Sequence, residues 1–352
     1  MEKRYSYPII IATLILFIGS VSSQTGGRQS YQFLNLSPGA RISALGGMPL
    51  SGYSKDPATV FLNPSLLHAE MKGTLQFSNL SYFSDISLGH LSYSHGLDSS
   101  SYNFQVGIHY ARYGEIPWTD EYGNQLGNFK ANETNFYFAA SKKLNSRISI
   151  GASINLLFSD LAQYQSEALS FNSGIHYYNP ENHFGLSLMF RNAGFQLSKY
   201  TQTKETLPFQ VQLCFSKKLK HLPLNYYVGI QHLQNWNVRY DDPNLNDDGL
   251  FFGDVNEDSK FEQEISNFFR HFVIGIELNI GKKENFSLRL GYNHLRNREL
   301  SLADYRSFAG LSGGFGIKIY KFKFDYSYAS YHLAGGSNQI SLSTNLSSFF
   351  KL

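Results

Sequence analysis

The 352 residues carry 30 Lys and Arg against 27 Asp and Glu, and a formal charge of +3 gives nucleic acid no electrostatic footing. Although 42% of the residues are hydrophobic and 16% aromatic, the mean hydropathy is −0.28, far too polar for a bundle of membrane helices. A single cysteine, Cys214, excludes an internal disulfide.

The first 23 residues read as a secretory signal peptide. Lys3 and Arg4 precede an apolar run from Ile9 to Ile18, and the small residues Gly19 to Ser23 follow, which puts cleavage near Ser23 and Gln24. The apolar run is well short of the ~18 residues that a spanning helix needs. No cysteine follows it, so lipid attachment is not expected.

Residues 24–72 do not alternate, and Ser37-Pro38-Gly39, Gly46-Gly47 and Asn63-Pro64 fill the stretch with turn signals. It is too short to build its own core. Ahead of a barrel it either folds into the lumen as a plug or hangs in the periplasm. The plug is preferred, because Phe33, Leu34, Leu36, Ile42, Leu45, Phe61, Leu62, Leu66 and Leu67 need burial.

From residue 73 to 352 one pattern recurs: segments of about ten residues in which every second side chain is apolar. Tyr102, Phe104, Val106, Ile108 and Tyr110 alternate with Asn103, Gln105, Gly107 and His109. Ile150, Ala152, Ile154, Leu156 and Phe158 alternate with Gly151, Ser153 and Asn155. A soluble sandwich turns Lys and Glu outward, whereas here the polar face is Ser, Asn, Gln, Gly and Tyr. That suits a lumen, with the apolar face against lipid. The expected fold is therefore all-β, a transmembrane antiparallel barrel of about 14 strands with an N-terminal lumenal plug.

Strands are expected to begin near residues 73, 86, 102, 132, 147, 166, 182, 207, 223, 269, 284, 308, 319 and 338. An even count returns both chain ends to one side of the membrane. Tight connections near Asn145, Pro180, Leu219, Gly281 and Tyr320 alternate with longer ones at 114–131, 160–166, 194–206, 233–267, 296–307 and 331–338. The barrel rule puts the long loops outside the cell. The connection at Phe83-Ser84-Asp85 departs from it by being short.

Chemistry is sparse along this chain. In the acidic stretch Asp241 to Asp258, Asn244, Asn246, Asp248 and Gly249 partly fit a calcium loop, but the position for its terminal glutamate holds Val255. A partner-binding loop bearing Asp241, Asp242, Asp247, Asp248, Asp254 and Asp258 is the better reading, and no metal or cofactor is expected. Ser348-Phe-Phe-Lys351 is the lone S-x-x-K, with no K-T-G or S-D-N to complete an acyl-enzyme signature. The eleven histidines are scattered, so neither a zinc site nor a Ser-His-Asp triad is indicated. No catalytic residue is expected.

Tyr31-Gln-Phe-Leu-Asn-Leu-Ser-Pro-Gly-Ala-Arg-Ile-Ser-Ala-Leu-Gly-Gly47, followed by Asp56 and by Phe61-Leu-Asn-Pro-Ser-Leu-Leu67, resembles the opening of the PorV/PorQ family of Bacteroidetes outer-membrane proteins, the PorQ branch most closely. Its Asn-Pro-small-Leu element is shared with FadL-type barrels, where it belongs to the plug. Ser65 stands where the family more often has Ala. The resemblance implies a fourteen-stranded FadL-like barrel in the outer membrane, serving the type IX secretion system with PorU-, PorV- and PorZ-like partners. It also makes Arg41, Gly46, Gly47, Asn63 and Pro64 plug-organising positions. Arg41 either pairs with a lumenal acid or lies solvated at a surface. The two resulting expectations are a non-enzymatic scaffold that binds partner proteins through its outer loops, and a FadL-like channel for hydrophobic or small solutes.

Overall fold

The computed structural model describes residues 29–48, 50–96, 101–238, 260–281, 284–300, 308–332 and 335–349. The signal peptide at 1–23 and the acidic loop bearing Asp241, Asp242, Asp247, Asp248, Asp254 and Asp258 lie outside them.

Fourteen antiparallel strands close into a barrel. In chain order they are β1 (Thr74–Ser81), β2 (Ser87–Gly96), β3 (Tyr102–Thr119), β4 (Gln125–Lys143), β5 (Ile148–Leu161), β6 (Tyr164–Asn179), β7 (Phe184–Ser198), β8 (Gln210–Lys218), β9 (Leu224–Ile230), β10 (Phe272–Ile280), β11 (Phe286–Asn293), β12 (Leu311–Ile319), β13 (Phe322–His332) and β14 (Gly335–Asn345). Each pairs with its sequence neighbours, and β1 closes on β14 in the register Thr74↔Asn345 to Ser81↔Asn338.

Alternation decides which face meets lipid. On β5, Ile150, Ile154, Leu156 and Phe158 are exposed while Ser153, Asn155 and Ser159 are buried, and on β11 Leu288 and Leu290 are exposed around a buried Arg289. A protein with buried serine and arginine and exposed leucine is inside out for water but right for a bilayer, where closure leaves no unpaired strand edge. The chain is a membrane-spanning barrel of the outer-membrane kind. No helix among the described residues is long and apolar enough to cross a membrane.

Three boundaries differ from the sequence reading. β4 begins at Gln125, because the β3–β4 hairpin stays paired out to Thr119↔Gln125 beyond a register shift after Arg112. The stretch 114–131 is therefore mostly a strand ribbon. The connection 160–166 is a tight turn, since Leu161 pairs with Tyr164 and Ala162 takes a φ of 57°. β14 starts at Gly335. The short connection near residue 84 closes with positive φ at both Ser84 and Asp85, at 55° and 59°, and Tyr82 N–H donates to Ile86 O. The two longest connections carry the helices Lys260–Arg270 and His294–Leu300.

The core lies inside the barrel. Phe33, Leu34, Ile42, Leu45, Leu50, Val60, Phe61, Leu62, Leu67 and Met71 from the N-terminal stretch are buried together with inward residues of the wall. Short helices at Ala40–Ala44 and Ala58–Leu62 and a 3-10 turn at Pro64–Leu66 shape that stretch.

Candidate functional site

Glycines in the wall admit the backbone of the N-terminal stretch. On the inward face, Gly151 of β5 faces Pro64, Gly174 of β6 faces Asn63, Gly185 of β7 faces Ser51, Gly229 of β9 faces Met48, and Gly291 of β11 faces Gly46. A Cβ at any of these five glycines would lie closer to its neighbour than real Cβ atoms approach. Each gap in the wall is thus filled by a particular residue of the segment, which fixes its path across the lumen. Gly46 and Gly47 take φ of 99° and 83°, values that favour glycine, and let the chain leave the helix Ala40–Ala44 toward β10 and β11.

Polar contacts hold the same path. Asn63 Oδ1 accepts from Ser65 N–H at 3.1 Å and from the Ser65 hydroxyl at 2.6 Å, with Pro64 starting the 3-10 turn between them. Ala40 N–H donates to Ser341 Oγ at 2.8 Å, and Gln339 Nε2 donates to Ser37 O at 2.9 Å, which ties the segment to β14. Gln76 Oε1 accepts from Ala58 N–H at 2.7 Å, at the start of the helix Ala58–Leu62.

Arg41 is buried and forms two hydrogen bonds with Glu277 of β10, Nε to Oε1 at 2.9 Å and Nη2 to Oε2 at 2.8 Å. Tyr227 donates to Glu277 Oε2 at 2.8 Å. Arg289 of β11 donates from Nε to Glu277 Oε1 at 2.8 Å and from Nη1 to Asp325 Oδ1 at 2.6 Å, and Lys323 Nζ lies 3.2 Å from Asp325 Oδ2. Two carboxylates thus meet two guanidiniums and an ammonium, with both faces of Glu277 in use. The network lines a cavity of about 500 Å³ on the short-turn side of the segment.

On the long-loop side lies a different chamber, of about 590 Å³. Its walls are Ile116, Phe129, Leu161 and Tyr164, with the rings of Tyr31, Tyr113 and Tyr200. Tyr31 reaches Ser166 Oγ at 2.8 Å, Tyr113 donates to the buried carboxylate of Glu133, and the Tyr31 and Tyr200 ring centres are 6.3 Å apart. Burial pushes the Tyr31 phenol up to about 12, so it remains a hydrogen-bond donor. Apolar walls with a few convergent hydroxyls are what a small, mostly apolar molecule requires. Sequence reasoning missed this chamber, because Tyr31, Tyr113 and Tyr200 come together only once β3 to β7 are paired.

Other candidates from the sequence stand apart. Cys214 is buried on the inward face of β8, and Ser348 lies in a 3-10 turn after β14. Among the described residues no three His, Cys, Asp or Glu side chains gather as metal ligands.

No protein-family model and no curated protein matches the chain. Among solved structures, the fold is similar to the Pseudomonas putida toluene transporter TodX, at 12% identity over 88% of this chain and 97% of that one, with a TM-score of 0.51. A TodX deltaS2S3 mutant, described as a monoaromatic hydrocarbon channel, matches at 14% identity over 87% and 98%, TM-score 0.53. A Pseudomonas aeruginosa FadL homologue matches at 9% identity over 87% and 98%, TM-score 0.50. At such identities the likeness is one of fold: a FadL-like fourteen-stranded barrel. The comparisons bring no support for the PorV/PorQ branch or for a type IX secretion component.

Proposed function

We propose that the chain is a passage for small hydrophobic compounds across an outer membrane, which it receives in the chamber of Tyr31, Tyr113 and Tyr200. The observation that carries this reading is that chamber: an apolar, ring-walled hollow on the long-loop side, next to the start of the lumenal segment. Residues 24–72 act as a plug distinct from the barrel of 73–352, with Arg41, Gly46, Gly47, Asn63 and Pro64 setting its path. A solute passes when part of the plug shifts. The similar folds of a toluene transporter and a monoaromatic hydrocarbon channel support the same class of cargo. No catalysis is part of this reading.

The test uses 1-N-phenylnaphthylamine, an apolar fluorophore, added to cells whose outer leaflet is lipopolysaccharide and excludes it. Cells producing the full chain take up the dye faster than cells with an empty vector, and Ala131→Trp, which fills the chamber, returns uptake to the vector rate while the barrel still migrates as folded. Equal uptake with and without the chain removes the proposal.

A second reading has one observation in its favour: the PorQ-like stretch from Tyr31 to Gly47 is packed tightly inside the lumen, which suits a permanently closed scaffold. It would anchor PorU-, PorV- and PorZ-like partners of a type IX attachment complex through outer loops, the stretch Asp241 to Asp258 foremost. Co-purification of such partners together with vector-level dye uptake would favour it over the passage.

A further inference from the structure

A third cavity, of about 580 Å³, also opens on the long-loop side, against β7, β8 and β9. In its wall sits Arg191 of β7, only 3% exposed. Its Nη2 donates to Leu34 O at 2.9 Å, and its Nε has no partner. No carboxylate pairs with it among the described residues; Glu299, which also lines the cavity, forms no ion pair with it there. This is the reverse of Arg41 and Arg289, whose charges are met by Glu277 and Asp325.

Three further residues lining this cavity each carry a buried polar atom without a partner: Gln231 Nε2, Gln212 Oε1 and Asn35 Oδ1. Arg191 of β7 and Gln212 of β8 line the cavity together with Gln231, which follows directly on the end of β9, and with Asn35 of the lumenal segment. Buried polar atoms almost always have partners, and an unpaired buried charge is costlier still. Four lining residues with an unmet polar atom each, one of them an uncompensated guanidinium, point to what fits there. The unmet N–H groups of Arg191 and Gln231 ask for an anionic acceptor, and the unmet oxygens of Gln212 and Asn35 ask for hydroxyl donors.

We propose that this cavity is a binding site for an anionic polyhydroxylated molecule, a carboxylate or phosphate on a sugar-like body, with Arg191 as its charge partner. It adjoins the apolar chamber, with Gln29 and Gln32 in the wall of both, but its polar lining differs, and it stands whether or not hydrophobic compounds pass through the barrel. Guanidinium forks hold both anions well, so carboxylate and phosphate are distinguished by experiment.

Isothermal titration of the purified full chain in detergent with glucuronate, glucose 6-phosphate and glucose tests it. At least one of the two anions binds while neutral glucose does not, and the one that binds identifies the group. Arg191→Gln lowers that affinity by about tenfold or more, as expected for loss of a charge-assisted hydrogen bond. Should Arg191→Gln fail to fold, judged by heat-modifiable migration, Gln212→Leu with Gln231→Leu carries the comparison and weakens the same anion. Absence of binding by both anions, or equal affinity in wild type and folded variant, overturns the proposal.

Discussion

Glu277 accepts hydrogen bonds from Arg41, Arg289 and Tyr227 inside the lumen, so its charge is what makes two buried guanidiniums tolerable there. Glu277→Gln leaves Arg41 with no carboxylate and Arg289 with Asp325 alone, and breaking buried pairs of this kind costs about 3–5 kcal/mol. Urea unfolding in lipid vesicles should show a loss of that order; an unchanged midpoint would mean that water already screens the network. Gly291 offers a test by volume. Gly291→Val drives a side chain into Gly46 and should cost about 1–3 kcal/mol, whereas Gly335→Ala, with open space around it, should be near neutral in the same measurement. An acid for Arg41 was one of two readings open from the sequence, but which acid depends on pairing across strands. The seating role of Gly151, Gly174, Gly229 and Gly291 was hidden, because in an alternating strand a glycine on the polar face looks like any other small residue.

His68 ends the segment just ahead of β1, where it stacks on Tyr53 at 4.3 Å between ring centres and its Nε2 lies 3.0 Å from Ser54 O. Burial lowers its pKa below the ordinary 6.5, with the Ser54 contact and Glu70 opposing and Lys55 and Lys143 assisting. The free imidazole therefore binds a proton that the docked one resists. Its contribution to docking is full above pH 6.5 and is lost as the pH falls below that value. Hydrogen exchange over residues 53–68 should speed up between pH 7 and pH 5 in the wild type, and the change should be smaller in His68→Gln. An equal change in both would assign the effect to another group. At this scale the strands were the legible part: thirteen of fourteen begin within three residues of the expected positions, because period-two alternation survives any neighbour. The outer hairpin of β3 and β4 was not, since Gly114, Gly123, Gly127 and Pro117 read as loop signals while the two arms pair with each other out to Thr119 and Gln125.

At the scale of the whole molecule, the even strand count that goes with closure was visible without coordinates, whereas the alternation of short and long connections holds only in part, since the connections near residue 84 and at 160–166 are tight turns. The three cavities were not visible, because each is lined from strands and segment residues far apart in the chain. They place a charged hollow on one side of the lumenal segment and an apolar and a polar one on the other. Everything proposed for passage rests on that segment standing across the lumen of a closed, lipid-embedded cylinder. Current through single molecules in a planar bilayer tests this most directly, comparing the full chain with one lacking residues 29–72 and confirmed as folded by its migration. The account predicts no steady current from the full chain and a steady ion current from the shortened one; equal steady currents from the two would contradict it.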